Sequence, residues 1–386
     1  MKVSANRETL LAAFQTAASF THQRSPKPIL QNVKMIAEGH VATLLATDME
    51  VAVRIDVDEM EVKVPGSALL PVSLFSPILR ESTDERLRIE VDDKGVSVFG
   101  DRSKFRLPSG NPEEFPSSLN MTADAYHEVS IHLLKELIRR TLFATDTESS
   151  RYALGGILME LEADKIVAVG TDGRRLAKME GPATAVNGHD LAGATTIVPS
   201  KSMQLIDRAL ADSEEPVRMC VQGNDILLQS GSVTISSRLV EGRFPKWRDV
   251  FPKRSESIEI ELAVGPAYSA IRQASIVASS ESRGIDFTFG EGSLVLSGIT
   301  ADVGESRVEL PIPYDGELIT LCLDNRYVSD FLRVLSPERS FNLSIVDSDN
   351  AAVFATDDGY GYVVMPLARE KRKGAPEAAA ATADAE

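Results

Sequence analysis

His132–Thr145 reads HLLKELIRRTLFAT. Leu133, Leu134, Leu137 and Ile138 recur at helical spacing, while Lys135 and Arg139, four apart, share another side. The stretch predicts an amphipathic helix with an apolar face and a basic face. It also has two relatives in the chain, NRETLLAAFQTAAS (6–19) and VGPAYSAIRQASIVAS (264–279), with the same spacing and few acids. A second trio follows: PVSLFSPILRES (71–82), PSKSMQLIDRALADS (199–213) and LDNRYVSDFLRVLS (323–336). Successive members of each trio begin roughly 125–130 residues apart.

The strand-like segments between them recur as well. LLATDMEVAV around Thr47–Asp48 matches AVGTDGRRLA around Thr171–Asp172, 124 positions later, and LSGITADVGESRVEL holds the corresponding place in the last third. Phe115–Pro116 and Phe244–Pro245 repeat 129 apart. GVSVFG, DILLQSG and SLVLSG are short apolar runs between turn residues, as strands are. A solenoid unit spans ~20–50 residues, so this repeat is instead the size of a small domain. The predicted class is α+β: three copies, each with two helices on mostly antiparallel sheets of about eight short strands joined by hairpin-length turns. Boundaries are expected in TADAYHE and PKRSESIE, giving domains 1–126, 127–256 and 257–369. Residues 370–386, almost without bulky apolar side chains, are expected to be a disordered tail.

Of the 386 residues 43% are hydrophobic and 25% charged, ordinary values for a globular chain and unlike a fibrous, disordered or membrane one. MKVSANRETLLAAFQ is too polar for a signal peptide, and no apolar run approaches the ~18 residues of a membrane span. Cys220 and Cys322 read as buried free thiols, which fits a reducing compartment and a cytoplasmic protein.

The formal net charge of −16 argues, taken whole, against a nucleic-acid binder. Its distribution argues otherwise. The six helical segments hold ten basic residues: Arg7, Arg80, Lys135, Arg139, Arg140, Lys201, Arg208, Arg272, Arg326 and Arg333. They hold seven acids, a net +3, so the rest of the chain sums to −19. A cationic bias on one class of element suits a surface that meets phosphates weakly and without sequence preference, inside an exterior that repels nucleic acid.

Motifs for catalysis are missing. His22, His40, His127, His132 and His189 are scattered without metal-ligand spacing, and there is no P-loop, dinucleotide fingerprint or nucleophile elbow. GTDGRRLA reads as a turn between strands. No catalytic residue, metal or cofactor is expected. Tyr360–Glu370, YGYVVMPLARE, poses one question: Pro366 argues for a sheet edge, so the segment is either an ordinary last strand or a wall of a binding groove.

RSPKPIL (24–30), RYALGGILME (151–160), GTDGRRLA (170–177), LVEGRFPKWRDVFP (239–252) and YVVMPL (362–367), in this order, resemble the bacterial DNA polymerase III beta subunit, the replication sliding clamp. The likeness covers residues 1 to about 369. It implies three clamp domains, a head-to-tail dimer closed into a ring around duplex DNA, and no enzymatic activity. It implies DNA contacts at Arg24 and at the helix cations named above. Ring closure falls, by the resemblance, to Phe105 and Leu107 on an edge strand of the first domain and Ile276 and Val277 after a helix of the third. The family also docks short linear motifs of replicative polymerase, clamp loader and other proteins in a groove between its second and third domains. The matching residues are Leu154, Thr171, Gly173, Arg174, Arg175, Leu176, Pro245 and Val250, with Tyr327, Val363, Val364, Met365, Pro366 and Leu367. Met supplies adaptability and Arg a charged rim, as suits peptide capture.

Ala153, Asp249, Asp324 and Ala368 depart from the family's usual residues, which leaves the outer part of the groove and its partner preference open. A repeat-built hydrolase or transferase, and a peptide-binding scaffold without DNA, are the competing readings.

Overall fold

A computed structural model describes residues 1–22, 24–116, 123–146, 152–189, 195–251, 257–278, 283–300 and 303–368. The expected disordered tail, 370–386, lies outside the described residues.

Six α-helices occur among the described residues: α1 (Arg7–Ala18), α2 (Val72–Glu81), α3 (Ile131–Thr141), α4 (Ser200–Ala209), α5 (Val264–Ala274) and α6 (Asn325–Arg333). The order strand, helix, several strands, helix, three strands occurs three times, with nine strands in each of the first two copies and eight in the third. Local chemistry explains the starts. Asn6 caps α1 by accepting from the Glu8 and Thr9 N–H groups, Ser130 caps α3 through Leu133, and Asp324 caps α6 through Arg326. α2 and α4 instead follow a proline, Pro71 and Pro199, with no side-chain cap.

The described residues divide into two compact units, one of Met1–Trp247 with Asp358–Tyr360, the other of Arg248–Asp357 with the described residues from Gly361 onward. In the first, strands Glu61–Val64, Lys2–Asn6, Arg86–Asp92, Gly95–Phe99 and Lys104–Leu107 form one sheet in that order. A second sheet joins two copies of the repeat: Val233–Arg238 of the second copy pairs antiparallel with Val51–Val57 of the first, Ile235 opposite Val53. Strands Thr196–Pro199, Gly156–Leu161, Lys165–Thr171 and Arg175–Pro182 are neighbours in that order. Helices α1 and α2 meet through Phe14 and Phe75, whose ring centroids lie 4.8 Å apart and which are fully buried.

In the second unit Gly304–Pro311, Ser293–Thr300, Gly284–Gly290 and Ile319–Asp324 form one antiparallel sheet in that order. Ala352–Ala355 pairs with Ser340–Ile345, which pairs with Ile258–Ala263. Phe331 of α6 anchors the core, 5.3 Å from a stacked Tyr362 and 5.2–5.4 Å from Phe354 and Phe341. Rings at these separations add about 0.5–1.5 kcal/mol per pair beyond the area they bury.

Candidate DNA-facing, ring-closing and peptide-binding surfaces

The helix cations divide by environment. Arg140 is buried, and its guanidinium donates to Asp358 Oδ2 at 2.8 Å, lies 2.7 Å from Glu136 Oε2 and sits over the Tyr360 ring. Desolvated and neutralised, it is a structural cation, and its assignment to DNA is corrected. Arg7 is corrected too: it donates to the Asp84 and Leu79 carbonyls and to Glu8, with its side chain 16% exposed. The other helix cations reach the surface. Lys135 pairs with Asp212 at 2.8 Å, Arg80 with Glu81 at 2.8 Å, Arg326 with Asp324 at 3.2 Å and Arg333 with Asp330 at 3.4 Å. Arg139 pairs with Glu136, Lys201 with Asp48, and Arg272 lies over the Tyr268 ring. Arg24 and Arg208 are exposed with no side-chain partner among the described residues. Exposed pairs of this kind are worth about 0–1 kcal/mol, so they exchange readily for phosphate.

Two titrations mark these contacts. Burial works to raise the Asp48 carboxyl, but Lys201 and the Val51 and Glu50 N–H groups hold it below the ordinary carboxylate range. A hydrogen bond with Tyr268 raises Arg333, keeping it charged.

The residues proposed for ring closure lie one group in each unit. Lys104–Leu107 is the last strand of its sheet; Phe105 is 37% exposed, while Leu107 is buried. Leu107 is thus a core residue of the chain itself. Ile276, 77% exposed, and the half-buried Val277 follow α5 beside Gly304–Pro311, an edge strand without a buried residue. The edge of the first unit carries Lys104 and Arg106, that of the second Glu305, Arg307 and Glu309, so the first is cationic and the second carries one net negative charge.

The peptide-binding residues also fall in two sets. In the first unit, Thr171–Arg175 forms one turn. Thr171 Oγ1 donates to the Arg175 carbonyl and accepts from the Gly173 N–H; Asp172 Oδ1 accepts from the Arg174 and Arg175 N–H groups. Gly173 sits at φ +86°, which favours glycine. Arg175 donates to Asp172 Oδ2 at 3.0 Å and to the Phe143 carbonyl at 2.6 Å, its guanidinium 5.4 Å from the Phe143 ring. It is pinned in place, only 11% of its side chain exposed, while Arg174 is fully at the surface. Pro245 is exposed; Leu154, Thr171 and Leu176 are buried.

In the second unit, Val363 and Val364 are 1% and 0% exposed and belong to the sheet core. As peptide-contacting side chains they are corrected: both lie within strand Tyr360–Val364, whose two faces are covered. The surface is supplied by Met365 at 47%, Leu367 at 37% and Val250 at 40%. The Leu367 N–H donates to the Cys322 carbonyl at 2.8 Å, fixing the segment after Pro366 against strand Ile319–Asp324. Tyr327, nearly buried, accepts through its carbonyl from the Tyr362 hydroxyl at 3.0 Å. Cys220 is buried as expected; Cys322 is half-buried.

Two groupings escaped the sequence. His127 and His189, 62 positions apart, approach Nδ1 to Nδ1 at 2.6 Å, and His127 Nε2 lies 2.9 Å from the Glu162 carbonyl. No spacing rule joins residues on one strand and a distant turn. Asp358 had no local signal either; its partner Arg140 lies 218 positions away. Among the described residues no group of three or more His, Cys, Asp or Glu side chains could hold a metal, and no helix is long and apolar enough to cross a membrane.

Three copies of a two-helix, antiparallel-sheet module with surface cations on the helices define a DNA-clamp architecture. Residues 1–121, 128–246 and 248–368 match the N-terminal, central and C-terminal domains of the DNA polymerase III beta subunit. The chain is 30% identical over 376 residues to the beta sliding clamp of Pseudomonas putida and 28% identical over 375 to that of Caulobacter vibrioides, each alignment spanning 95% of this chain and 100% of the relative. A crystal structure of the DNA polymerase III subunit beta from Pseudomonas aeruginosa superposes with TM-score 0.88 at 27% identity, covering 95% of this chain and all of that one. A sliding clamp from the same organism bound to griselimycin gives 0.89 at 26%, covering 96% and 100%. The chain belongs to the DNA polymerase III beta subunit family, the bacterial beta sliding clamps, which are non-enzymatic processivity factors.

Proposed function

We propose that this chain is a replication sliding clamp that closes head to tail with a second copy around duplex DNA and tethers polymerase and other proteins by their short motifs. One observation carries the reading: basic residues are concentrated on the helices of a threefold repeat within a chain of net charge −16. Retention by enclosure needs cations that meet phosphate weakly. Arg24, Arg80, Lys135, Arg139, Lys201, Arg208, Arg272, Arg326 and Arg333 are the set we assign to DNA, each individually weak and salt-screened.

Ring closure pairs the cationic edge Lys104–Leu107 of one copy with the edge Gly304–Pro311 of the other, where Glu305 and Glu309 outweigh Arg307, Phe105 and Ile276 supplying the apolar contact. Main-chain bonding between open edges gives affinity, and opposite charges fix partner and direction. Partner motifs dock on Arg174, Arg175 and Pro245 of the first unit and on Val250, Met365, Pro366 and Leu367 of the second, with Leu154, Thr171, Gly173, Leu176 and Tyr327 beneath or beside them. The domains are those bounded near residues 126, 256 and 369, and the site of action is the cytoplasm.

The test is oligomeric state followed by DNA retention. Light scattering on the eluting protein should give twice 41.8 kDa, and Phe105→Glu with Ile276→Glu, which sets two carboxylates against each other, should give the monomer. A monomeric parent chain would sink the ring.

A further inference from the structure

A second pocket repeats the peptide-binding turn one copy earlier. Thr47–Val51 carries the same bonds as Thr171–Arg175: Thr47 Oγ1 donates to the Val51 carbonyl and accepts from the Met49 N–H, and Asp48 Oδ1 accepts from the Glu50 and Val51 N–H groups. Met49 sits at φ +83°, beside the +86° of Gly173. This turn borders a cavity of about 200 Å³ inside the first unit, floored by Leu45, Val51 and Val53 and walled by Met49, Phe115 and Pro116. Counted through the 124- and 129-residue repeats, Thr47, Met49, Glu50, Val51, Ala52 and Pro116 stand where Thr171, Gly173, Arg174, Arg175, Leu176 and Pro245 stand in the assigned peptide site. Six of its seven residues in that unit therefore have a counterpart lining this cavity.

The substitutions at the rim reverse its character. Where the assigned site has Arg174 and Arg175, this one has Glu50 and Val51. Glu50, Asp225 and Arg238 line the cavity, and none has a side-chain partner among the described residues, so its charged lining holds two carboxylates and one guanidinium. Met49 is 50% exposed at a backbone angle that a side chain rarely adopts, held there by its neighbours. An exposed, unbranched Met over an apolar floor adapts to an inserted side chain. The volume is below the ~300–1,000 Å³ of a drug-sized site and suits one or two apolar side chains.

We propose that this cavity is a second docking site, taking a short linear segment of a partner protein with an apolar anchor followed by lysine or arginine. It rests on the peptide-binding assignment of the repeated turn. The two sites then sort partners by charge, since a like-charged flank is repelled at each rim.

The probe is the amidated tetrapeptide acetyl-Leu-Phe-Lys-Lys, titrated into full-length protein with labelled methyl groups, against acetyl-Leu-Phe-Glu-Glu. The basic peptide should shift the Leu45, Met49, Val51 and Val53 methyls with a dissociation constant near 1 mM or below, and the acidic one should bind about fivefold more weakly. Glu50→Lys should reverse that order while leaving the fold's spectrum unchanged. Those four methyls unmoved by either peptide, or equal binding of both, overturns the proposal; so does a preference that survives Glu50→Lys. Met365→Ala, measured in parallel through the Leu176 and Val250 methyls with a clamp-binding peptide of the polymerase, reports on the first site alone. Loss of either result leaves the other readable.

Discussion

The turns Thr47–Val51 and Thr171–Arg175 have one backbone and two chemistries. Both are closed by a threonine hydroxyl and an aspartate that takes two N–H groups. In the second, a glycine occupies the left-handed position and Arg175 is locked against Asp172 and Phe143. In the first, Met49 takes that position and the carboxylate of Asp48 turns to Lys201 of α4 instead. The Thr-Asp pair sets the turn, and the residues after it are free to specify what the turn touches.

The largest effect that should separate the two turns is on partner binding. Met365→Ala should weaken a clamp-binding peptide by roughly 2 kcal/mol, about thirtyfold, while Val51→Ala leaves its affinity within error; fluorescence anisotropy reads both. Equal losses would mean that the turns are not distinguished as assigned. Next in size is Asp172→Ala, which strands a nearly buried guanidinium and should cost about 2–4 kcal/mol in chemical denaturation. Asp48→Ala leaves an exposed Lys201 to solvent and should cost about half as much. Backbone strain comes third. Gly173→Ala should destabilise by about 1 kcal/mol, and Met49→Gly should be neutral or stabilising by up to that amount. The smallest effect concerns pH. Because Asp48 titrates below its unfolded value, its stabilisation is fully present above the ordinary carboxylate pKa of 3.8 and is lost as pH falls through the lower folded value. Lys201→Met should reduce that acid-side dependence.

The threefold repeat was legible because periodicity survives in the sequence: apolar spacing in His132–Thr145, Thr-Asp and Phe-Pro pairs at fixed intervals. Helix cations were legible as a set and less so one by one. Lys135 and Arg140 look alike in HLLKELIRRT, yet Arg140 lies on the covered side, where its contacts with Glu136, Asp358 and the Tyr360 ring show why a charge tolerates that place. Val363, Val364 and Met365 form one apolar run in the sequence, and periodicity cannot mark where a strand leaves the sheet. The Leu367 N–H bond to Cys322 marks that point in space. Long-range pairings such as His127 with His189 leave no local trace at all.

Enclosure of DNA is the central claim, and it is tested most directly on nicked circular plasmid. Clamp assembled on the circle by a clamp loader should remain through a wash at about 1 M salt, where surface charge is screened to ~3 Å, and should be released once a restriction enzyme linearises the plasmid. Release by salt from circle and linear DNA alike would contradict the account.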